Sequence, residues 1–164
     1  MASEIVVTTT LQVRKMDADG TTVLVNENMQ GSVIEDMAGY GGPSPGTLSV
    51  GVMGSGGTQV SFANLTNGEP GWCWFEHLGR VDGSAATDAD YVMGGVYDPE
   101  DQKFWPLFEL RPGMKLPVPL SRHLGQTADM LGPGTGTAGL GETAKLMLIA
   151  YPVAQRVNVK GFDR

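Results

Sequence analysis

Few residues in this chain are equipped for chemistry. There is one cysteine, Cys73, and there are two histidines, His77 and His123, in 164 residues. Cys73 stands between Trp72 and Trp74, a setting that suits a small buried hydrophobe. A reactive thiol would need a neighbouring cation or a helix N-terminus to lower its pKa. One cysteine also excludes an internal disulfide. Two histidines so far apart fall short of the clustered histidines and carboxylate of a metal centre on a β-scaffold, so each reads as a structural or exposed side chain. The carboxylate clusters Glu35–Asp36 and Asp98, Glu100, Asp101 read as solvated turn residues, with a divalent ion or a protein contact as the competing reading. GTGTAG (134–139) matches G-x-G-x-x-G, yet a dinucleotide site needs a strand before it and a helix opening on its last glycine. Here a loop precedes and a strand follows. DADG (17–20) lacks the further ligands of a calcium loop and reads as a turn. NLT (64–66) fits the glycosylation pattern, which carries weight only in a secreted chain. No serine occupies a G-x-S-x-G elbow, and there is no Walker A sequence. The sequence therefore assigns no catalytic residue, no metal ligand and no cofactor, and the expected function lies outside the enzymes.

Composition limits the elements that can carry such a chain. With 24 glycines and 10 prolines but no collagen-like period, it favours many short strands and turns over long helices. Apolar residues make up 41% and charged residues 18%, a globular balance. The length suits one domain over 1–164, since domains usually hold roughly 100–200 residues. The net charge of −7, from 11 basic against 18 acidic residues, comes without a clustered basic face, so no nucleic-acid partner is expected. MASEIVVTTT lacks the basic-then-apolar pattern of a secretory signal, and no apolar run approaches the roughly 20 residues of a membrane helix. The expectation is a soluble chain made in a cytoplasm, with no membrane partner.

Along the chain, EIVVTTTLQVR (4–14) and TTVLVNE (21–27) flank DADG as a hairpin, with Val7, Thr9, Leu11 and Val13 on one face. Val33, Ile34, Met37 and Tyr40 fall at helical spacing, which predicts a short helix within 28–40, ended by GYGGPSPG. Strands are expected at 47–53, 58–65 and 72–78, then a loop over 80–90 and a strand over 91–97. An acidic turn (98–102) leads into KFWPLFEL (103–110). Pro106 removes a ladder donor, so that strand must lie at an edge or bulge there. RPGM (111–114) fits a tight turn with Pro second and Gly third. In LPVPL, Pro117 and Pro119 turn their donorless nitrogens to the same side, which marks a sheet edge guarded against further pairing. The segment 121–141 shows little regular pattern. TAKLMLIAYP (143–152) is nearly continuously apolar and reads as a central strand, and QRVNVKGFDR as a polar C-terminal arm. The expected fold is all-β, a single-domain β-sandwich or jelly roll of about eight or nine short strands.

The run Tyr91-Val92-Met93-Gly94-Gly95-Val96-Tyr97, followed by Phe104-Trp105-Pro106-Leu107-Phe108-Glu109-Leu110-Arg111-Pro112-Gly113-Met114, resembles a group of small tailed-bacteriophage proteins. Their shared pattern is a Tyr-Val-x-Ile-Gly strand, an acidic turn and Phe-Tyr-Pro-Phe-x-x-Leu-x-Pro-Gly-Glu. Gly71-Trp72-Cys73-Trp74-Phe75-Glu76-His77-Leu78 is similar to that group's Gly-x-x-x-Phe-x-Asn-Leu strand, and Val7-Thr8-Thr9-Thr10-Leu11 and TAKLMLIAYP also fit. His77 stands where Asn is usual, Met114 where Glu is usual, and 80–90 and 132–141 look inserted. The resemblance implies a structural virion protein, foremost a capsid cement or decoration protein, with neck, tail or head-fibre accessories as variants. It also implies the major capsid protein or other virion proteins as partners, and a homotrimer seated where capsomers meet. The loops 39–46, 80–90 and 132–141 and the ends 1–8 and 153–164 would then be contact elements. The competing reading is a carbohydrate-binding β-sandwich with Trp72, Trp74 and Trp105 as a stacking platform.

Overall fold

The computed structural model describes residues 4–16, 18–20, 23–36, 45–62, 70–98, 102–120 and 145–163. Among them are ten strands: β1 (Glu4–Met16), β2 (Val23–Asp36), β3 (Pro45–Val50), β4 (Thr58–Gln59), β5 (Pro70–Arg80), β6 (Tyr91–Asp98), β7 (Lys103–Leu110), β8 (Lys115–Pro119), β9 (Lys145–Tyr151) and β10 (Gln155–Asp163). A single 3-10 turn, Met53–Ser55, is the one helical piece described. The chain divides into two compact units, Met1–Ala38 and Gly39–Arg164.

The first unit is the expected hairpin, but it is much longer. Its ladder runs from Glu4 opposite Asp36 to Met16 opposite Val23. Residues 28–36 are therefore strand, not the short helix expected within 28–40, and residues 37–40 lie outside the described residues. The helical spacing of Val33 and Ile34 is incidental, because a continuous ladder to a β-branched partner strand fixes this segment as extended.

The second unit is a sandwich of two four-stranded sheets, ordered β3-β10-β5-β8 and β4-β9-β6-β7. Its pairings nest: β3 with β10, β4 with β9, β5 with β8 and β6 with β7. First meets last and the middle pair meets itself, as when one long double ribbon is rolled over so that alternate pairs fall in opposite sheets. That is the jelly-roll connectivity.

Both proline arguments hold at the edges. β8 closes one sheet and pairs with β5 alone. β7 closes the other sheet and also carries a bulge. Gly94 faces Phe108 and Gly95 faces Pro106, so Leu107 is the extra residue. Between β7 and β8 the RPGM turn closes with Met114 N–H donating to Arg111 O at 2.9 Å, and Gly113 has φ 76°, as a type II turn requires.

The C-terminal arm is a correction. QRVNVKGFD (155–163) forms β10, an interior strand of its sheet bonded to β3 on one side and β5 on the other. Gln155, Val157 and Val159 are buried while Arg156, Asn158 and Lys160 alternate outward. The polarity that resembled a tail is one face of a half-buried strand.

Val50, Phe75, Val92, Leu110, Leu148, Val157 and Val159 are fully buried between the sheets. Phe75 of one sheet meets Phe108 of the other at 4.9 Å between ring centroids, tilted by 46°. Phe108 reaches across because Gly94 leaves the space: a Cβ there would lie 2.1 Å from the ring's Cζ. Gly94→Ala should destabilise the protein by about 1–3 kcal/mol through overpacking, and Phe75→Ala by roughly 3–5 kcal/mol through the cavity it leaves. Urea unfolding followed by tryptophan fluorescence measures both.

Candidate functional site

Alternation along β5 sends Cys73, Phe75 and His77 inward and Trp72, Trp74 and Glu76 outward. Cys73 is buried in the core, and burial pushes its thiol pKa up, so it is an inert hydrophobe. His77 is also buried. Its backbone N–H donates to Met114 O at 3.0 Å, and its Nδ1 accepts from Gly79 N–H at 3.1 Å. The neutral ring therefore carries its proton on Nε2, which is buried with no hydrogen-bond partner among the described residues. Burial lowers the His77 pKa from its ordinary 6.5, an effect that the Asp90 charge only partly opposes.

Asp90 organises this end of the sandwich. It lies at the foot of β6 and is fully buried. Arg80 at the end of β5 donates Nε to both carboxylate oxygens at 3.1 Å and places NH2 3.0 Å from Oδ2. Thr87 donates its backbone N–H at 2.6 Å and its hydroxyl at 3.1 Å to Oδ2, and Gln155 donates Nε2 to Oδ1 at 2.9 Å. These donors, the Arg80 hydrogen bonds foremost, hold Asp90 at a pKa of about 2. The loop 80–90 is thus stapled across its base to both neighbouring strands. Within it Asp82 Oδ1 accepts from Ser84 N–H at 2.9 Å and Ser84 Oγ at 2.7 Å, a local Asx-type turn.

The two outer surfaces differ. On the β3-β10-β5-β8 sheet, Trp72 and Trp74 are half-buried and lie in line with Glu76. Glu76 is bonded by Lys115 Nζ at 3.1 Å and Asn158 Nδ2 at 3.4 Å. The Lys115 hydrogen bond, then Asn158, draws the Glu76 pKa down. Trp105 belongs to β7 in the other sheet, so the three tryptophans do not form one platform. On the outer side of the second sheet the register sets Tyr91 beside Tyr151, Met93 between Ile149 and Glu109, and Gly95 beside Met147. Met147 and Ile149 are themselves buried, and Glu109 is ion-paired with Arg111. The Tyr91 and Tyr151 rings stack at 5.1 Å. Tyr151 is 51% exposed and the bulged Leu107 65%.

Asp98, expected as a solvated turn residue, is a buried residue at the end of β6, and Glu35–Asp36 end β2 rather than a loop. His123, Glu100, Asp101, Asp17, 39–44, 64–66 and 134–139 lie outside the described residues. Among the described residues no group of three or more His, Cys, Asp and Glu is arranged to hold a metal ion, and no helix is long and apolar enough to cross a membrane. Sequence reasoning missed the Asp90 staple, whose partners are scattered along the chain, and the exposure of Leu107 and Tyr151, which look like core residues in the sequence. Compared with family models, curated proteins and solved structures, the chain matches none of them.

A histidine with a lowered folded pKa binds fewer protons folded than unfolded, so its contribution is lost as pH falls below about 6.5. The Asp90 contribution is present above 3.8 and lost as pH falls toward about 2. Melting temperature should therefore drop in two stages on acidification. His77→Asn, which keeps an acceptor for Gly79 N–H, should flatten the first stage, and Asp90→Asn the second while lowering stability at neutral pH. Calorimetry across this range checks both.

Proposed function

We propose that this protein is a structural component of a phage virion: a cement or decoration protein that binds the outside of a capsid and stabilises the junctions between capsomers. The observation that carries this reading is the exposure of two large apolar side chains on the β4-β9-β6-β7 sheet, Leu107 of β7 and Tyr151 of β9. Antiparallel sheets ordinarily turn polar residues to water, and an apolar patch on a surface marks a place where another surface fits. The stretch that resembles the phage proteins, 91–114, covers β6, β7 and the turn after them, so the same stretch supplies both the resemblance and one of the two exposed side chains, Leu107. Fold alone does not decide function, although jelly rolls do serve in viral shells.

The partner is the major capsid protein or another virion protein, engaged by a homotrimer. A net charge of −7 suits the outside of a shell, where contacts are made with protein and the genome lies on the other side. A second reading, a carbohydrate-binding module, is favoured by Trp72 and Trp74 on the outer surface beside Glu76. An indole face stacks on a sugar ring while carboxylate and amide groups bond its hydroxyls.

Burying one large apolar side chain contributes about 1.5–3 kcal/mol, so Leu107→Asp with Tyr151→Asp should lower occupancy on particles by roughly tenfold or more. Leu107 is largely exposed, so the melting temperature should fall only by what the Tyr91–Tyr151 stacking contributes, about 0.5–1.5 kcal/mol. Trp72→Ala should leave occupancy intact. Gel quantification on purified particles beside thermal unfolding is the measurement. Wild-type protein that never co-purifies with particles, yet binds glycans through Trp72 and Trp74, would replace the first reading with the second.

A further inference from the structure

The β1–β2 ribbon is built as if for pairing, while the sandwich is guarded against it. Of its four outermost strands, β7 and β8 carry Pro106, Pro117 and Pro119, β3 begins at Pro45 and β4 is only two residues long. Prolines and very short edges limit further pairing. β1 and β2, of 13 and 14 residues, contain no proline, and among the described residues they pair only with each other. A lone two-stranded ribbon is at best marginally stable in water, so strands this long want further neighbours.

The ribbon's two faces differ as well. The register sets Val7 opposite Val33, Thr9 opposite Gly31, Leu11 opposite Met29 and Val13 opposite Glu27. Leu11 is 58% exposed and Met29 50%. The alternate face sets Thr8 opposite Ser32, Thr10 opposite Gln30 and Gln12 opposite Asn28, with Val6 opposite Ile34 and Arg14 opposite Asn26 toward its ends. The first face ends in Ile5 opposite Glu35 and Lys15 opposite Val25. An apolar stripe with charged residues toward its ends thus runs along one side of a ribbon whose strands have no further ladder partner among the described residues.

We infer that three copies of this chain assemble through the ribbon, β1 of each copy pairing with β2 of the next and the Leu11–Met29 face turned inward, so that six strands close into a small barrel. Charge selects this pairing. β1 carries Glu4, Arg14 and Lys15, and β2 carries Glu27, Glu35 and Asp36. A β1-to-β2 contact joins a net positive strand to a net negative one, whereas β2-to-β2 sets like charges together. A contact between unlike edges is heterologous and must close as a ring or grow as a filament. Two ribbons give four strands, too few to surround side chains. Three give six, between the five strands of the smallest, partly open barrels and the eight whose interior is just wide enough for side chains to fill.

The area suffices. At about 3.4 Å per residue and roughly 10 Å across two strands, one face offers on the order of 400 Å², and its two edges about double that, which reaches the roughly 800 Å² per partner of a standard interface. The inference rests on the trimer proposed above and names the element that forms it.

The test uses the full chain. Sedimentation velocity and light scattering should show a trimer at micromolar concentration. Leu11→Asp with Met29→Asp should give a monomer, and Thr10→Asp, on the polar face, should remain trimeric. All three tryptophans lie in the Gly39–Arg164 unit, so an unchanged near-ultraviolet circular dichroism spectrum shows that the sandwich has kept its fold in each variant. A monomeric wild type, a trimer that survives the Leu11 and Met29 substitutions, or dissociation by Thr10→Asp would each overturn the assignment. A monomeric wild type that still attaches to particles would sink the ribbon and spare the capsid reading. A trimer that ignores particles would do the reverse.

Discussion

The sandwich depends on a missing side chain. At position 94 the Phe108 ring occupies the volume that a Cβ would need, and only that lets it meet Phe75 of the facing sheet. The next residue repeats the constraint on the backbone, since a Cβ on Gly95 would lie 2.0 Å from Trp105 O. The two glycines draw β7 tightly onto β6, and the Leu107 bulge takes up the register that this approach displaces. Beyond the bulge β7 can turn at RPGM and re-enter as β8 in the opposite sheet, so the passage between the layers follows from two absent side chains and one extra residue. Pro106 is tolerated opposite Gly95 because β7 has no further partner to disappoint.

Much of this was legible in the sequence where one residue carries a rule by itself. Proline without an N–H marked β7 and β8 as edges, Pro-Gly marked the type II turn, and the unbroken apolar run of β9 marked an interior strand. What was not legible needed the partner strand. QRVNVKGFDR alternates charged with apolar residues, and only the positions of β3 and β5 decide that Val157 and Val159 face a core. Val33 and Ile34 fit a helical period as well as an extended one until β1 lies beside them. The same limit hid the functional surfaces. That Trp72 and Trp74 share a face follows from the period of a strand, but whether that face is core or surface depends on Cys73 and Phe75 pointing the other way. Asp90 gives no local signal at all, because its ligands Arg80, Thr87 and Gln155 converge only when β5, β6 and β10 are assembled.

Asp90 also changes the meaning of the loop it closes. Residues 80–90 look like an adaptable insertion by composition, yet a buried carboxylate with five donated hydrogen bonds ties them to two strands. A buried charge is tolerable only when its donors are complete. Any docking that pulled Arg80 or Gln155 away would leave that charge uncompensated, so contacts made by this loop must use its outward groups and leave its base alone.

The distribution of polarity over the molecule follows from these positions. One outer surface holds Glu76 between Lys115 and Asn158 and turns Arg156 and Lys160 outward. The other leaves Tyr151 and Leu107 in water, where each exposed apolar area is a standing free-energy cost that association removes. The sandwich can carry that cost because its cohesion lies elsewhere, in the aromatic contact across the sheets and in the nested ladders. Prolines at β7 and β8 interrupt further pairing at two of the four edges of the sandwich, and the shortness of β4 limits it at a third.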